Sequence, residues 1–422
     1  MKVLWFCNTQ ANADEYFNLK LSGTGGWLKS LDRSIQNHLD LHVAFYDLSN
    51  SSSFKHLNTT YHPVKIEYGK IAILFKLFFG YDYDEHSTSD IVAIANKVKP
   101  DLIHIHGSEY NFASLIEKVK VPVLVSIQGV LTVIEYKFFS GIEKNYLSAY
   151  SRFSKGIKHA ILGDTYKSAY SSLSTRTKRE RANLQACKYI MGRTAWDRRV
   201  SSILSPQRKY FVGNEILRDC FYNNIWSKPR RAEFIIFSIT GNNFYKGFET
   251  ICYALKLLKD AGLNVEWRVA GISEADPITA VVQRKLRKLY PSSGLRLMGR
   301  LTASELVGQC LCADAYVMAS HIENSPNNLC EAMILGMPCI ATYAGGTGSM
   351  LQDGVEGVLV QDGDPWSMAG AVIEMIHDYD ICVIYGTNAR KRALERHDRE
   401  NIVANLIETY KNIIDEHRSL AT

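Results

Sequence analysis

The chain has 422 residues, more than one ordinary hydrophobic core organises, so two domains are expected. Hydrophobic residues make up 46% and charged residues 22%, with 10 Pro and 28 Gly; a disordered, collagen-like or disulfide mini-scaffold chain is excluded. The net charge is +6. Eleven Lys or Arg stand against Glu180 and Asp197 between Lys167 and Lys209, a local charge of +9 that leaves −3 for the rest. Such a window suits an anionic partner: a membrane surface, nucleic acid, or a phosphate-bearing substrate.

Residues 2–6 predict a buried strand, and the apolar run stops at Asn8-Thr9-Gln10, too early for a secretion signal. Gly23-Thr24-Gly25-Gly26 then leads into a helix from Trp27 and lets backbone approach a phosphate or sugar, which makes Gly25 and Gly26 candidate ligand contacts. A dinucleotide fingerprint fails here, since Leu28 stands where a third glycine is needed, and no P-loop sequence occurs. Strands follow at 41–46, 102–106, 121–127, 189–191 and 210–212, each opening into a polar or glycine-bearing loop. A second series runs 234–239, 266–270, 295–298, 315–318, 339–341 and 357–360, with amphipathic stretches between. This alternation predicts parallel sheets covered on both faces.

The seam falls at 218–231, where Ser227-Lys228-Pro229-Arg230-Arg231 is polar and precedes a fresh strand. The expected division is 1–218 and 219–399, with a terminal helix near 400–422 packing back on the first domain. Two doubly wound Rossmann-like domains facing across a cleft bind ligands beyond the carboxyl ends of their strands. No apolar stretch reaches the ~18–20 residues of a membrane span. Nine cysteines without C-x-x-C spacing suit the reduced cytoplasm.

Three loops carry the chemistry. Glu323-Asn324-Ser325-Pro326-Asn327-Asn328-Leu329-Cys330-Glu331 follows a strand and opens a helix. The N–H groups of Asn327, Asn328 and Leu329 can meet an anion, and the flanking carboxylates can accept from sugar or ribose hydroxyls. Lys246, beside Gly247 just past a strand, places one cation where a leaving diphosphate needs neutralising. His104 and His106 end a strand on one face; they could hold zinc, but no third ligand is evident.

The run from Glu323 to Gly346 resembles the E-x7-E signature of family 4 of retaining glycosyltransferases, within the GT-B group. Leu297-Met298-Gly299-Arg300-Leu301 resembles that family's base-contacting loop, Tyr245-Lys246-Gly247 its phosphate lysine, and Asp353-Gly354-Val355-Glu356-Gly357 the approach to its next strand. Gly192-Arg193-Thr194-Ala195-Trp196-Asp197 and Asn214-Glu215-Ile216-Leu217-Arg218 are similar to stretches in bacterial polysaccharide-assembly members.

The resemblance implies a GT-B fold and a metal-independent hexosyltransferase that retains the α configuration. It further implies a nucleotide-diphosphate sugar as donor, UDP rather than GDP, and a glycan or lipid-linked glycan acceptor. Glu323 would hold the donor sugar, Glu331 the ribose, Lys246 and the 327–329 backbone the diphosphate, Arg300 and Leu301 the nucleotide, and His106 the acceptor side. Two departures stand out. The family's Arg ahead of the lysine is missing, leaving Asn242, Asn243 or Arg300 to replace it, and Gln128 occupies a position where relatives carry His.

Asp82-Tyr83-Asp84 and Asp378-Tyr379-Asp380 spell a manganese motif but follow no core strand. The stretch 70–79 is apolar and basic, suited either to a membrane surface or to a core helix. The rival readings are a nucleotide-sugar 2-epimerase and a non-catalytic nucleotide-sugar binder. Nucleic acid is disfavoured for want of a reading module. The expected location is the cytoplasm, at the inner face of the cell membrane.

Overall fold

The computed structural model describes residues 1–17, 26–47, 52–65, 88–144, 146, 157–227 and 232–421. Gly23 to Gly25, the 70–79 stretch, Asp82, Asp84 and 228–231 lie outside them. The chain forms two compact units: Met1–Glu135 with Thr165–Ile216 and His397–Thr422, and Tyr136–Asp164 with Leu217–Arg396. Residues of Tyr136–Asp164 thus belong with the second unit, although they fall inside the range 1–218.

The first unit is built on eight strands: β1 (Lys2–Cys7), β2 (Asp40–Asp47), β3 (Phe54–His56), β4 (Thr59–Lys65), β5 (Leu102–His106), β6 (Val123–Ser126), β7 (Tyr189–Gly192) and β8 (Lys209–Val212). Their order is β3-β4-β2-β1-β5-β6-β7-β8. All neighbours run parallel except β3, which pairs antiparallel with β4 at the edge. Neither β3 nor β4 is foreseen from the sequence, because Thr-Thr-Tyr-His-Pro-Val-Lys lacks an apolar run and contains a proline. Helices cover both faces. Trp5, Trp27, Leu31 and Tyr410 pack on one; Phe6, Ile105, Phe112 and Val125 pack on the other. The terminal helix Arg399–Ala421 joins this unit, and its Tyr410 hydroxyl accepts from Trp5 Nε1 at 2.9 Å.

The second unit holds β9 (Phe234–Ile239), β10 (Val265–Ala270), β11 (Leu295–Gly299), β12 (Ala315–Met318), β13 (Cys339–Thr342) and β14 (Gly357–Val360). The order β11-β10-β9-β12-β13-β14 is parallel throughout. Strands buried on both faces read as near-continuous apolar runs, and Phe-Ile-Ile-Phe-Ser-Ile in β9 is one. Its Ser238 hydroxyl is satisfied inside the core, donating to the Val317 carbonyl at 2.6 Å and accepting from Trp267 Nε1 at 2.9 Å.

In both sheets the chain starts in the middle, winds one way, then returns to wind the other. Strand order therefore reverses between β1 and β5 in the first unit and between β9 and β12 in the second. Loops at the carboxyl ends of such strand pairs diverge and leave a crevice for ligand. All nine cysteines are free thiols, and no helix among the described residues is long and apolar enough to cross a membrane.

Candidate functional site

In the second unit the loops after β9 and β12 bring Lys246 and Glu323 together. Lys246 Nζ donates to Glu323 Oε1 at 2.6 Å, and Ser320 Oγ donates to the same oxygen at 2.7 Å. Burial pulls the lysine pKa down, but the Glu323 charge outweighs it and the net shift is upward, so the ammonium is retained. Two glycines let these loops close. Gly247 has φ +71 and a Cβ there would lie 1.9 Å from the Ala319 carbonyl; Gly345 has φ +57 and a Cβ would lie 2.0 Å from the Glu323 carbonyl. Neither position accepts a side chain in this conformation.

The helix Asn327–Leu335 begins directly after Pro326 and ends at Gly336, whose φ is +83. Leu329 differs from expectation as an anion donor, because its N–H is already shared between Asn328 Oδ1 and the Pro326 carbonyl. Asn328 spends its amide on the end of β9, donating to the Ile239 carbonyl at 3.2 Å. Asn327 keeps a buried Oδ1 with no hydrogen-bond partner.

Glu331 sits inside this helix, 3% exposed, and receives a two-pronged bond from Arg218: Nε to Oε1 and Nη2 to Oε2, both 2.6 Å. Burial pushes the carboxyl up from its ordinary value while Arg218 pulls it back. The Arg218 backbone N–H donates to the carboxylate as well; a carboxylate has about four lone-pair positions, so one remains for a further donor. Arg218 was not singled out in this role from the sequence; it lies 113 residues away and only the fold joins them.

The remaining nucleotide-side candidates are dispersed. Asn242 and Asn243 are exposed, and Asn242 Oδ1 accepts from Ile278 N at 3.2 Å at the start of a helix. Arg300 is exposed after β11, and Leu301 packs against the core of the unit. Asp378 Oδ1 accepts from Ile381 N at 3.2 Å, capping a helix as a solvated turn would.

In the first unit, Gly26 begins the helix Gly26–Ile35. His106 is 1% exposed; its ring lies edge-on to Trp5 at 4.5 Å and to Trp27 at 5.7 Å. Burial, with His104 and Arg193 nearby, holds it well below the usual histidine range, so it is neutral. Neither ring nitrogen has a hydrogen-bond partner, and the ring borders a cavity of about 20 Å³ with Arg193, Ser126 and Asn214. His104 is spoken for on both nitrogens, by Tyr410 and Ser126 at 2.6 Å each, which leaves no zinc pair.

A further residue was missed from the sequence. Glu109 follows β5, and its Oε2 accepts from Asn8 Nδ2, which follows β1, at 3.0 Å. The two loops that flank the reversal point are joined by this bond. Burial raises the Glu109 carboxyl to about 7, with the Glu180 charge adding to the rise. Its only sequence signal was its place two residues after Gly107, which directly follows β5.

Not every cation of the basic window is free at the surface. Arg193 is buried against Glu215 at 3.5 Å and stacks on Trp27 at 4.4 Å. Lys188 and Lys209 share Glu416, and Arg179 donates to the Glu109 carbonyl. Lys167, Lys178, Arg181, Arg198 and Arg199 are exposed, and Lys188 and Lys209 remain exposed beside Glu416.

Residues 234–378 match the family model of group 1 glycosyl transferases. A curated relative, N-acetyl-alpha-D-glucosaminyl L-malate synthase of Bacillus anthracis, is 29% identical over 107 residues, 25% of this chain and 28% of that protein. The chain matches less than half the length of the curated relatives found. Sucrose-phosphate synthase from Thermosynechococcus elongatus superposes with a TM-score of 0.74 at 14% identity, over 99% of this chain and 100% of that one. Anabaena HepE, solved in complex with UDP-glucose, gives 0.65 at 14% identity over 98% and 100%. These likenesses establish the fold: two Rossmann-like α/β units of the GT-B type.

Proposed function

We propose that the protein is a glycosyltransferase that moves a hexosyl group from a nucleotide-diphosphate sugar to a hydroxyl of a glycan or lipid-linked glycan. The observation that carries this reading is the Lys246–Glu323 pair at the reversal point of the second sheet, inside the segment that matches the family model. An ammonium has three protons. Lys246 can therefore keep Glu323 and still donate to a phosphate oxygen, neutralising charge as the glycosidic bond breaks. Glu323 would accept from donor-sugar hydroxyls, Glu331 from the ribose, and the Asn327 and Asn328 N–H groups would face the diphosphate. No metal is required in this scheme.

Stereochemistry and substrate belong to the same proposal. The acceptor oxygen bonds to the anomeric carbon on the face the diphosphate leaves, the carbon–oxygen bond to phosphate breaks, and the hydroxyl proton passes to the departing phosphate. The α configuration is kept. A UDP-sugar is the preferred donor, in line with HepE's complex with UDP-glucose, and surface polysaccharide assembly in the cytoplasm is the proposed setting. Exposed Lys178, Arg181, Arg198 and Arg199 would favour an anionic membrane surface there.

The test is UDP release from UDP-glucose with and without a panel of aryl glycosides, with product anomers read by NMR. Acceptor-dependent release and an α-linked product are expected. Full turnover without acceptor would instead indicate an epimerase, and absence of turnover across a wider nucleotide-sugar panel a binding protein.

A further inference from the structure

His321 lies between Ser320 and Glu323, buried, with a carboxylate on each side of its ring. Nε2 meets Glu249 Oε1 at 2.6 Å and Nδ1 meets Asp362 Oδ2 at 3.4 Å. Two ring nitrogens facing two carboxylates both need a proton, which is the imidazolium form. The partners come from separate elements: Glu249 from the first turn of the helix Phe248–Asp260, Asp362 from the loop after β14. Lys137 Nζ stands 3.3 Å from the far partner, Asp362. The charged groups facing the ring are thus Glu249 and Asp362, with Lys137 behind the second.

The same residue is fastened through its backbone. His321 N donates to the Tyr245 carbonyl at 2.8 Å, adjacent to Lys246, and Thr342 Oγ1 donates to the neighbouring Ser320 carbonyl. Glycines make room for the clamp: a Cβ on Gly141 would lie 2.2 Å from Glu249 Oε1, and one on Gly363 would lie 3.3 Å from the ring. The loops after β9, β12 and β14 therefore meet at one residue, the first through its backbone and the last through its ring, while the ring makes no hydrogen bond to Lys246, Glu323 or Glu331.

We propose that His321 is a positioning residue: as an imidazolium held by Glu249 and Asp362, it fixes the register of the Lys246 and Glu323 loops and so sets affinity for the nucleoside diphosphate. This rests on the donor site proposed above. Burial works against its charge, but the hydrogen bonds and charges of Glu249 and Asp362 outweigh burial and raise its pKa. The clamp is intact below that raised value and is lost as pH rises through it, leaving two carboxylates without the cation between them.

UDP is the probe, titrated calorimetrically across pH 6 to 9. Wild-type affinity is expected to fall on the alkaline side. Glu249→Gln keeps the shape and removes one charge, so the alkaline fall moves to lower pH. His321→Asn weakens UDP roughly tenfold at neutral pH and removes that fall. In a Lys246→Ala background the His321→Asn loss shrinks, because both act through one cation; independent effects would add. Circular dichroism checks each fold, and Glu249→Gln carries the test if His321→Asn does not fold. Variants that bind UDP as the wild type does at every pH, or a full additive loss without Lys246, overturn the inference and leave the donor site standing. Wild-type protein that ignores both UDP and UDP-glucose overturns the donor site and this inference with it.

Discussion

Where strand order reverses, the second unit joins its two loops through an ion pair, Lys246 with Glu323, and the first joins its two through an amide and a carboxyl, Asn8 with Glu109. The contrast extends outward. Around the second reversal point the ionisable groups come in matched pairs: Arg218 with Glu331, His321 with Glu249. Around the first, burial drives His106 far below its usual range and Glu109 up to about 7, although Arg193, paired with Glu215, borders the same cavity as His106. Preorganised charge suits a diphosphate whose negative charge grows as the bond breaks. A surface with fewer charges and more hydrogen-bonding groups suits an incoming hydroxyl. One topology thus carries two electrostatic designs.

The largest expected effect comes from removing the cation. Lys246→Ala should lower turnover roughly 10²–10³-fold, the usual loss for one electrostatic stabiliser, with circular dichroism unchanged. Activity close to wild type would remove Lys246 from the chemistry.

Glu331→Ala acts on stability as well as binding. It leaves the partly buried Arg218 without its carboxylate; breaking a fully buried pair costs roughly 3–5 kcal/mol, so a smaller loss is expected here, readable in chemical denaturation. Free UDP should bind more weakly to it, whereas Glu323→Ala should spare free UDP and impair sugar-dependent steps. The opposite pattern in calorimetry reverses the two ends of the site.

The first unit offers a subtler break in the comparison. Glu109 is raised to about 7 from an ordinary value near 4.3, so the folded state holds its proton where the unfolded state has released it. Stability from that difference is complete below about pH 4.3 and is lost as pH rises through 7. Glu109→Gln should therefore gain in melting temperature relative to wild type between pH 5 and pH 8. Parallel curves would mean that the carboxyl is solvated and that the contrast between units is weaker than drawn.

The smallest effect concerns the basic window. With Arg193 buried and Lys188 and Lys209 sharing Glu416, the window still exposes Lys167, Lys178, Arg181, Arg198 and Arg199, each worth about 1 kcal/mol near an anionic bilayer. Co-sedimentation should require anionic vesicles, fall with salt, and weaken when Lys178 and Arg181 become Ser. Equal recovery in the supernatant with anionic and neutral vesicles at low salt removes the membrane claim alone.

What could be read from the sequence follows the same divide. Glu323 and Glu331 stand eight residues apart on one loop and helix, so their candidacy is written locally, and strands such as Phe234–Ile239 announce themselves as apolar runs. Arg218, Glu109 and the His321 clamp were not legible because their partners lie far along the chain and no local pattern ties them. His106 was legible as a strand-end residue but not as a buried one, since the tryptophans that enclose it come from β1 and a helix. The basic window is legible only coarsely for a related reason: a charge sum cannot tell Arg193, stacked on Trp27 in the interior, from Arg181 in solvent.

The most direct test of the account is a calorimetric titration of UDP into the wild type and Lys246→Ala at one neutral pH. The account predicts saturable binding to the wild type at one site, weakened at least tenfold without the lysine. Equal affinity in the two proteins, or no binding to the wild type by UDP or UDP-glucose, would contradict it.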